Sequence, residues 1–160
     1  MTAIEQFVAG LEQRFGSALA SSAGGAVEAV LRGRQRITVT FDEAVRTATI
    51  AAPVEAARRE LPPAALNDLL KRNFPDSRMA GSMLVASPSQ DSLVMINVIP
   101  LCSATPELLA GIAMAQGCAA LDLTNEIVAS RRRESSDADA DDEGDFDLDL
   151  FDEGEDDGEV

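Results

Sequence analysis

A break in composition at Arg133 constrains this chain more than any other feature. From Glu134 to the end there are fifteen acidic residues and no Lys or Arg, whereas residues 1–133 hold thirteen acids against thirteen bases. The net charge of −15 therefore belongs entirely to the last segment. Large apolar residues thin out at the same point, and a stretch so charged cannot bury enough surface to offset the entropy of ordering it. Disorder is the expectation for residues 134–160. One domain, residues 1–133, has to contain whatever core the chain builds.

Inside that domain the hydrophobic period changes several times. Ile4, Phe7, Val8, Leu11, Phe15, Ala18 and Leu19 recur at helical spacing with Glu5, Glu12 and Gln13 opposite them, which predicts an amphipathic helix over 3–20. Ser21, Ser22, Gly24 and Gly25 are turn formers that end it. Val27 to Leu31 reads as a short strand, Ile37 to Phe41 alternates with period two, and Arg46 to Ala52 runs back after a turn at Asp42-Glu43. These make an antiparallel meander. Pro62-Pro63 opens a second helix carried by Ala65, Leu66, Leu69, Leu70 and Phe74, which Pro75 closes. Met79–Ala86 and Leu93–Ile99 then flank a polar run containing Pro88, the loop of a hairpin. Both of its strands are apolar on both faces, so they call for cover from two sides, one a helix and the other open to a second subunit. Thr105-Pro106-Glu107 supplies an N-cap, a first-turn Pro and an acid at the dipole's positive end, and Leu108, Leu109, Ile112, Ala115, Ala119, Leu123 and Ile127 carry a third helix to about Ser130. The order is α-βββ-α-ββ-α. The expected fold class is α+β, a five-stranded antiparallel sheet covered by helices.

Residue types exclude much chemistry. With no His in the chain, the commonest general base and the commonest zinc ligand are missing, and neither a GxGxxG nor a GxxxxGK[ST] run is present to cradle phosphate. Asp42, Glu43, Asp68 and Asp122 are the carboxylates left to act as acid and base, and their spacing does not bring them together. Asp145, Asp147 and Asp149 alternate like the first ligands of a calcium loop, but the Gly and Glu that such a loop needs at its sixth and twelfth positions are Leu150 and Asp156. No metal and no cofactor is expected, and no catalysis. Arg32, Arg34 and Arg36 alternate, so on an extended strand they would project to one side, and Arg131-Arg132-Arg133 forms a second basic run. The chain has no Trp or Tyr to stack bases, and its −15 charge repels phosphate. Nucleic acid is therefore not an expected partner. Cys102 and Cys118, sixteen positions apart, read as small core thiols. The start of the chain has no basic region followed by an apolar run, and no stretch suits a membrane span, so a cytoplasmic protein is expected.

The α-βββ-α-ββ-α order, the phrase Leu69-Leu70-Lys71-Arg72-Asn73-Phe74 closing the second helix, and the hairpin running into Ile99-Pro100-Leu101 resemble the class I chaperones of bacterial type III secretion. The similarity covers about residues 3–130. It departs from that family in a charge-neutral body and a long acidic tail. The resemblance implies a cytoplasmic bacterial homodimer that binds the extended N-terminal region of secreted effectors, keeps it competent for export and helps deliver it to the export ATPase, without inserting in a membrane. A broad-specificity member is one form of this. The alternative is a related fold used away from secretion, as in the YbjN-like regulatory proteins. On this reading Phe7, Leu11, Val39, Phe41 and Ile50 are the candidate client-binding residues, and Leu66, Leu69, Leu70, Met83 and Val85 the candidate dimer interface. In the tail, Phe146, Leu148, Leu150 and Phe151 are threaded among aspartates, a pattern of segments that order on binding, and they are the candidates for a docking role.

Overall fold

The computed structural model describes residues 2–57, 61–73, 81–87 and 92–140. Its elements are α1 (Ala3–Phe15), β1 (Leu19–Ala23), β2 (Ala26–Leu31), β3 (Gln35–Asp42), β4 (Thr47–Ala57), α2 (Pro63–Lys71), β5 (Met83–Ser87), β6 (Ser92–Pro100) and α3 (Pro106–Ala140), with short 3₁₀ turns at Gly16–Ala18 and Leu101–Ser103. All strands join one antiparallel sheet in the order β1-β2-β3-β4-β6-β5.

Among the described residues the sheet has six strands, not the five expected, and the extra one comes from the end of the predicted first helix. Gly16 stops α1 at a backbone φ of 50° and ψ of −116°, a combination that favours glycine. Leu19, at helical spacing from Phe15, therefore turns inward from a strand instead. Gly24 and Gly25, with φ of 60° and 77°, make the two-residue turn with two positive φ values that a tight hairpin needs, and Ala23 pairs directly with Ala26 across it.

The α+β fold class stands. One face of the sheet is largely apolar from β2 to β5 because the registers align alternate residues: Val27 with Val39, Val39 with Ile50, Ala52 with Met95, Met95 with Leu84; Ser22 opposite Val27 and Asn97 opposite Ile50 are polar members of it. Leu11 and Phe15 of α1 and Leu109, Ala110 and Ala113 of α3 cover the β2–β4 part of it. Further along, Leu61, Leu69 of α2 and Ala120, Leu123 and Ile127 of α3 cover Ala52, Val54, Leu84, Leu93 and Met95. Each fully buried Leu, Ile or Val contributes about 1.5–3 kcal/mol. Gly117 lets α3 lie on the sheet, since a Cβ there would sit 2.5 Å from Ile37 Cδ1. Where the two clusters meet, the buried Gln116 donates its amide to the carbonyls of Ile50 (3.0 Å) and Met95 (2.7 Å).

Other expectations need correction. Cys102 is exposed on the Leu101–Ser103 turn and is not a core thiol, whereas Cys118 is half-buried and packs against the first core cluster. Arg32 and Arg34 lie in the turn between β2 and β3, where Arg32 has a positive φ, so the three arginines do not form a strand stripe. Contact density divides the chain into Met1–Val128 and Ala129–Val160. Helix α3 continues to Ala140, past both the expected helix end near Ser130 and the composition break at Arg133. Phe74, Phe146, Leu148, Leu150 and Phe151 lie outside the described residues. No helix among the described residues is long and apolar enough to cross a membrane.

Candidate functional site

Three surfaces stand out: the two edges of the sheet with what flanks them, and the face of the sheet that no helix among the described residues covers. At one edge, α1 starts from a capping box. The Thr2 hydroxyl accepts from Glu5 N–H (3.2 Å) and Glu5 Oε2 accepts from Thr2 N–H (2.6 Å), which satisfies two orphan donors of the first turn. The helix buries Leu11 and Phe15 but leaves Ile4, Phe7 and Val8 half-buried. Phe7 stacks obliquely on Phe41, with ring centroids 5.8 Å apart. A hollow of about 310 Å³ lies between this helix (Ile4, Glu5, Val8, Ala9, Glu12) and the β1–β2 turn (Ser22 to Gly25). A second, of about 390 Å³, is lined by Ala3, Ile4, Phe7, Glu43, Arg46 and Leu101. Both are in the size range of sites for small ligands or single side chains.

Strand β1 borders the first hollow, and its outer edge faces no other strand among the described residues. Because Ala23 and Ala26 close a two-residue turn they form a hydrogen-bonded pair, so the next residue, Ser22, directs its N–H and C=O away from β2. These are groups an added strand can pair with.

The opposite edge is occupied. Asn73, just past α2, places its side-chain amide alongside β5: Nδ2 donates to Leu84 O (2.8 Å) and Oδ1 accepts from Leu84 N–H (2.5 Å), as a neighbouring strand would. A bidentate pair from Arg72 to Glu126 (2.6 and 2.9 Å) ties this end of α2 to α3 and holds Asn73 in place. The sequence reading singled out the Leu-Leu-x-x-Asn-Phe phrase without seeing this function of its Asn.

On the uncovered face, Met83 and Val85 of β5 lie beside Ile96 and Val94 of β6, with Val98, Ala51 and Pro53 next to them. Met83 is 55% and Val98 52% exposed. Exposed apolar patches of this kind mark interaction sites.

The sequence-predicted residues are therefore divided. Of the client-binding candidates, Phe7 and Phe41 reach the second hollow's rim or its immediate neighbour, whereas Leu11, Val39 and Ile50 have no exposed surface and pack in the core. Of the interface candidates, Met83 and Val85 share the uncovered face, while Leu69 is buried in the second cluster, Leu66 packs against it and Leu70 is half-buried. The four carboxylates serve local structure or face solvent. Asp42 accepts from the N–H groups of Ala44 (2.9 Å) and Val45 (3.2 Å). Asp68 takes a hydrogen bond from Lys71 (2.8 Å), which holds its carboxyl below the ordinary range. Glu43 lines the second hollow and Asp122 is exposed on α3. Among the described residues, no three His, Cys, Asp or Glu side chains gather as metal ligands.

No curated protein matches the chain. Solved structures do. A chain in the structure of the HopA1-SchA chaperone-effector complex is 14% identical, with 79% of this chain and 96% of that one covered and a TM-score of 0.55. One in the heterodimeric ExoU-SpcU complex of the type III secretion system of Pseudomonas aeruginosa is 18% identical, with 74% and 94% covered and a TM-score of 0.56. A third, from the Yersinia pestis type III secretion chaperone SycH with a fragment of YscM2, is 10% identical, with 73% and 98% covered and a TM-score of 0.54. At such identities the likeness is one of fold. A family model reaches further, matching residues 6–116, which is more than half of the sequence, and on that ground the chain belongs to the Tir chaperone protein (CesT) family.

Proposed function

We propose that this protein is a cytoplasmic type III secretion chaperone that holds an extended segment of an effector along β1 and the flank of α1, keeping it competent for export. The observation that carries this reading is the pairing of an open strand edge with an apolar hollow beside it. Main-chain hydrogen bonds to Ser22 supply affinity for any extended chain, and Ile4, Val8 and Ala9 receive its alternate side chains. Family membership and the chaperone-effector complexes of the same fold support it. Phe7 and Phe41 form the second contact area, around the hollow near Arg46.

The uncovered face of β4, β6 and β5 is the proposed homodimer contact, centred on Met83, Val85, Ile96 and Val98. Burying a few hundred Å² there is worth several kcal/mol at roughly 25 cal/mol per Å² before the cost of association. Delivery to the export ATPase is part of the proposal through the family resemblance.

Capture of N-terminal fragments of secreted proteins, compared with their folded C-terminal domains, tests the chaperone reading; equal capture of both would sink it. Ala9→Arg is the informative variant, since Ala9 is exposed in the first hollow and its replacement leaves the core untouched. Leu11→Asp is not, because Leu11 is fully buried and the change unfolds the domain. For the dimer, Met83→Asp with Val98→Asp is expected to halve the mass seen by light scattering, and an unchanged mass would remove that face from the interface.

A further inference from the structure

Strand β1 offers an added strand one regular pairing position. Its ladder with β2 is regular over Ser21, Ser22 and Ala23 and shifts register between Leu19 and Ser21. Outward main-chain groups alternate along a strand, so of these three residues Ser22 alone presents both its N–H and its C=O. The next outward position on one side is Gly24, inside the turn with a φ of 60°, and on the other it falls in the register shift, which interrupts a ladder. Ser22 also settles the face. It lies directly opposite Val27, which is buried in the core with Leu11, and opposite residues share a face, so the Ser22 side chain is turned to the hollow that it lines. The room in that hollow comes from small residues: Ala9 and Ala23 are exposed, and a Cβ on Gly24 or Gly25 would meet no atom within 4 Å. Ile4 and Val8, both half-buried, supply its apolar surface, and the Glu5 carboxylate is turned to the N–H of Thr2 (2.6 Å). Its volume of about 310 Å³ exceeds the roughly 150 Å³ that is enough to hold a benzene ring.

We propose, resting on the strand-addition reading above, that selection at this edge is made by one large apolar side chain, Phe, Leu or Met, on the client residue directly opposite Ser22 in an antiparallel strand, with Ala9 setting the size that fits. That residue exchanges both main-chain hydrogen bonds with Ser22, and its side chain falls on the Ser22 face, beside Ile4, Val8 and Ala9. Its two neighbours in the strand turn to the other face. There β1 presents Ser21, exposed and paired opposite Glu28, so polar residues are favoured at those positions. The pattern selected is therefore polar, large apolar, polar, with the central residue carrying both the main-chain pairing and the apolar contact.

Titration of the isotope-labelled full chain with synthetic peptides, followed by NMR at the amides of Ala9, Ser22, Gly24 and Gly25, tests this. The peptides are built of Thr, Ser and Gln around one central residue, Phe or Ala. The Phe peptide is expected to bind at least about tenfold more tightly than the Ala peptide. Ala9→Leu, a change that an exposed helix position accepts, fills the hollow and brings that ratio to about twofold or less. Methylating the central residue's N–H, which faces the Ser22 carbonyl, costs about tenfold, whereas methylating either neighbour's N–H leaves affinity within about twofold. A Phe advantage untouched by Ala9→Leu overturns the placement of the side chain in this hollow. Losses that are equal at all three methylated positions, or confined to a neighbour, overturn the pairing opposite Ser22. Equal affinity for Phe and Ala peptides, with central methylation still costly, overturns the apolar selection and leaves strand addition standing. If no peptide moves the Ser22 to Gly25 amides, or if methylation costs nothing at any position, the strand-addition reading fails and the selection with it.

Discussion

The two ends of the sheet solve the problem of an unpaired strand in opposite ways. At β5 the exposed main chain of Leu84 is satisfied by one side chain, Asn73, which stands in for a missing strand and prevents another from pairing there. At β1 nothing in the described structure stands in, and an apolar hollow lies alongside. A protein that needed only to be stable and monomeric would close both. The open end, next to the helix whose Phe7, Val8 and Ile4 are not fully buried, is the one on which the proposed strand addition rests. The blocked end also adjoins the uncovered apolar face, which is the proposed homodimer contact.

The comparison breaks first at Asn73. Asn73→Ala leaves both main-chain groups of Leu84 unpaired and is expected to cost about 1–3 kcal/mol in chemical denaturation, with faster hydrogen exchange at Leu84. The same variant is expected to gain self-association or peptide pairing at β5; unchanged stability and exchange would mean that the edge is not held by this residue. Next comes Ser22→Pro, which removes an outward N–H without taking a bond from the β1–β2 ladder. Peptide capture is expected to fall about tenfold with the melting temperature nearly unchanged, and full retention of capture would place the client elsewhere.

A smaller effect sharpens the contrast from the tail's side. If the tail takes no part in client binding, deleting residues 141–160 changes peptide affinity by no more than about twofold, whereas marked tightening would put Phe146, Leu148, Leu150 and Phe151 in the groove. Docking of the tail on a basic surface of the export machinery would show instead as a weaker complex with the export ATPase.

The smallest effect concerns how α1 is anchored. Glu107 is held below the ordinary carboxylate range by its own backbone N–H, by Arg14 (2.6 Å), which links α1 to α3, and by Thr105. A folded-state pKa below the unfolded value means that this contribution is fully present above the unfolded pKa and is lost as pH falls through the lowered one. Glu107→Gln is therefore expected to melt slightly below the unaltered protein at neutral pH and to converge with it in acid. A constant difference across that range would show that the charge has no part in the anchoring.

Local pattern was enough to read much of the architecture. Period-two alternation in Ile37 to Phe41, the Thr105-Pro106 start of α3 and the helical spacing of Leu66 and Leu69 are all decided by neighbours in the chain, and the structure places these segments in the elements they predict. The first helix was misjudged at its end for a physical reason. Ala18 and Leu19 continue a helical period, and only the hairpin that Gly24-Gly25 closes, with its long-range pairing to β2, makes Leu19 to Ala23 a strand.

What the amino-acid order determined by itself is the class of fold and, through the Leu69-to-Phe74 phrase and the hairpin running into Ile99-Pro100-Leu101, the family to which the chain belongs. Tertiary structure decided which of the candidate residues reach the surface. Leu11, Val39 and Ile50 looked as able to contact a client as Phe7 and Phe41, because periodicity reports which residues share a face and not what lies on it. Asn73 is silent in sequence for a related reason: its partner, Leu84, is brought to it only by the packing of α2 against the sheet. Exposure of an edge is a property of the strand that is missing beside it, and no residue in the sequence encodes that absence alone.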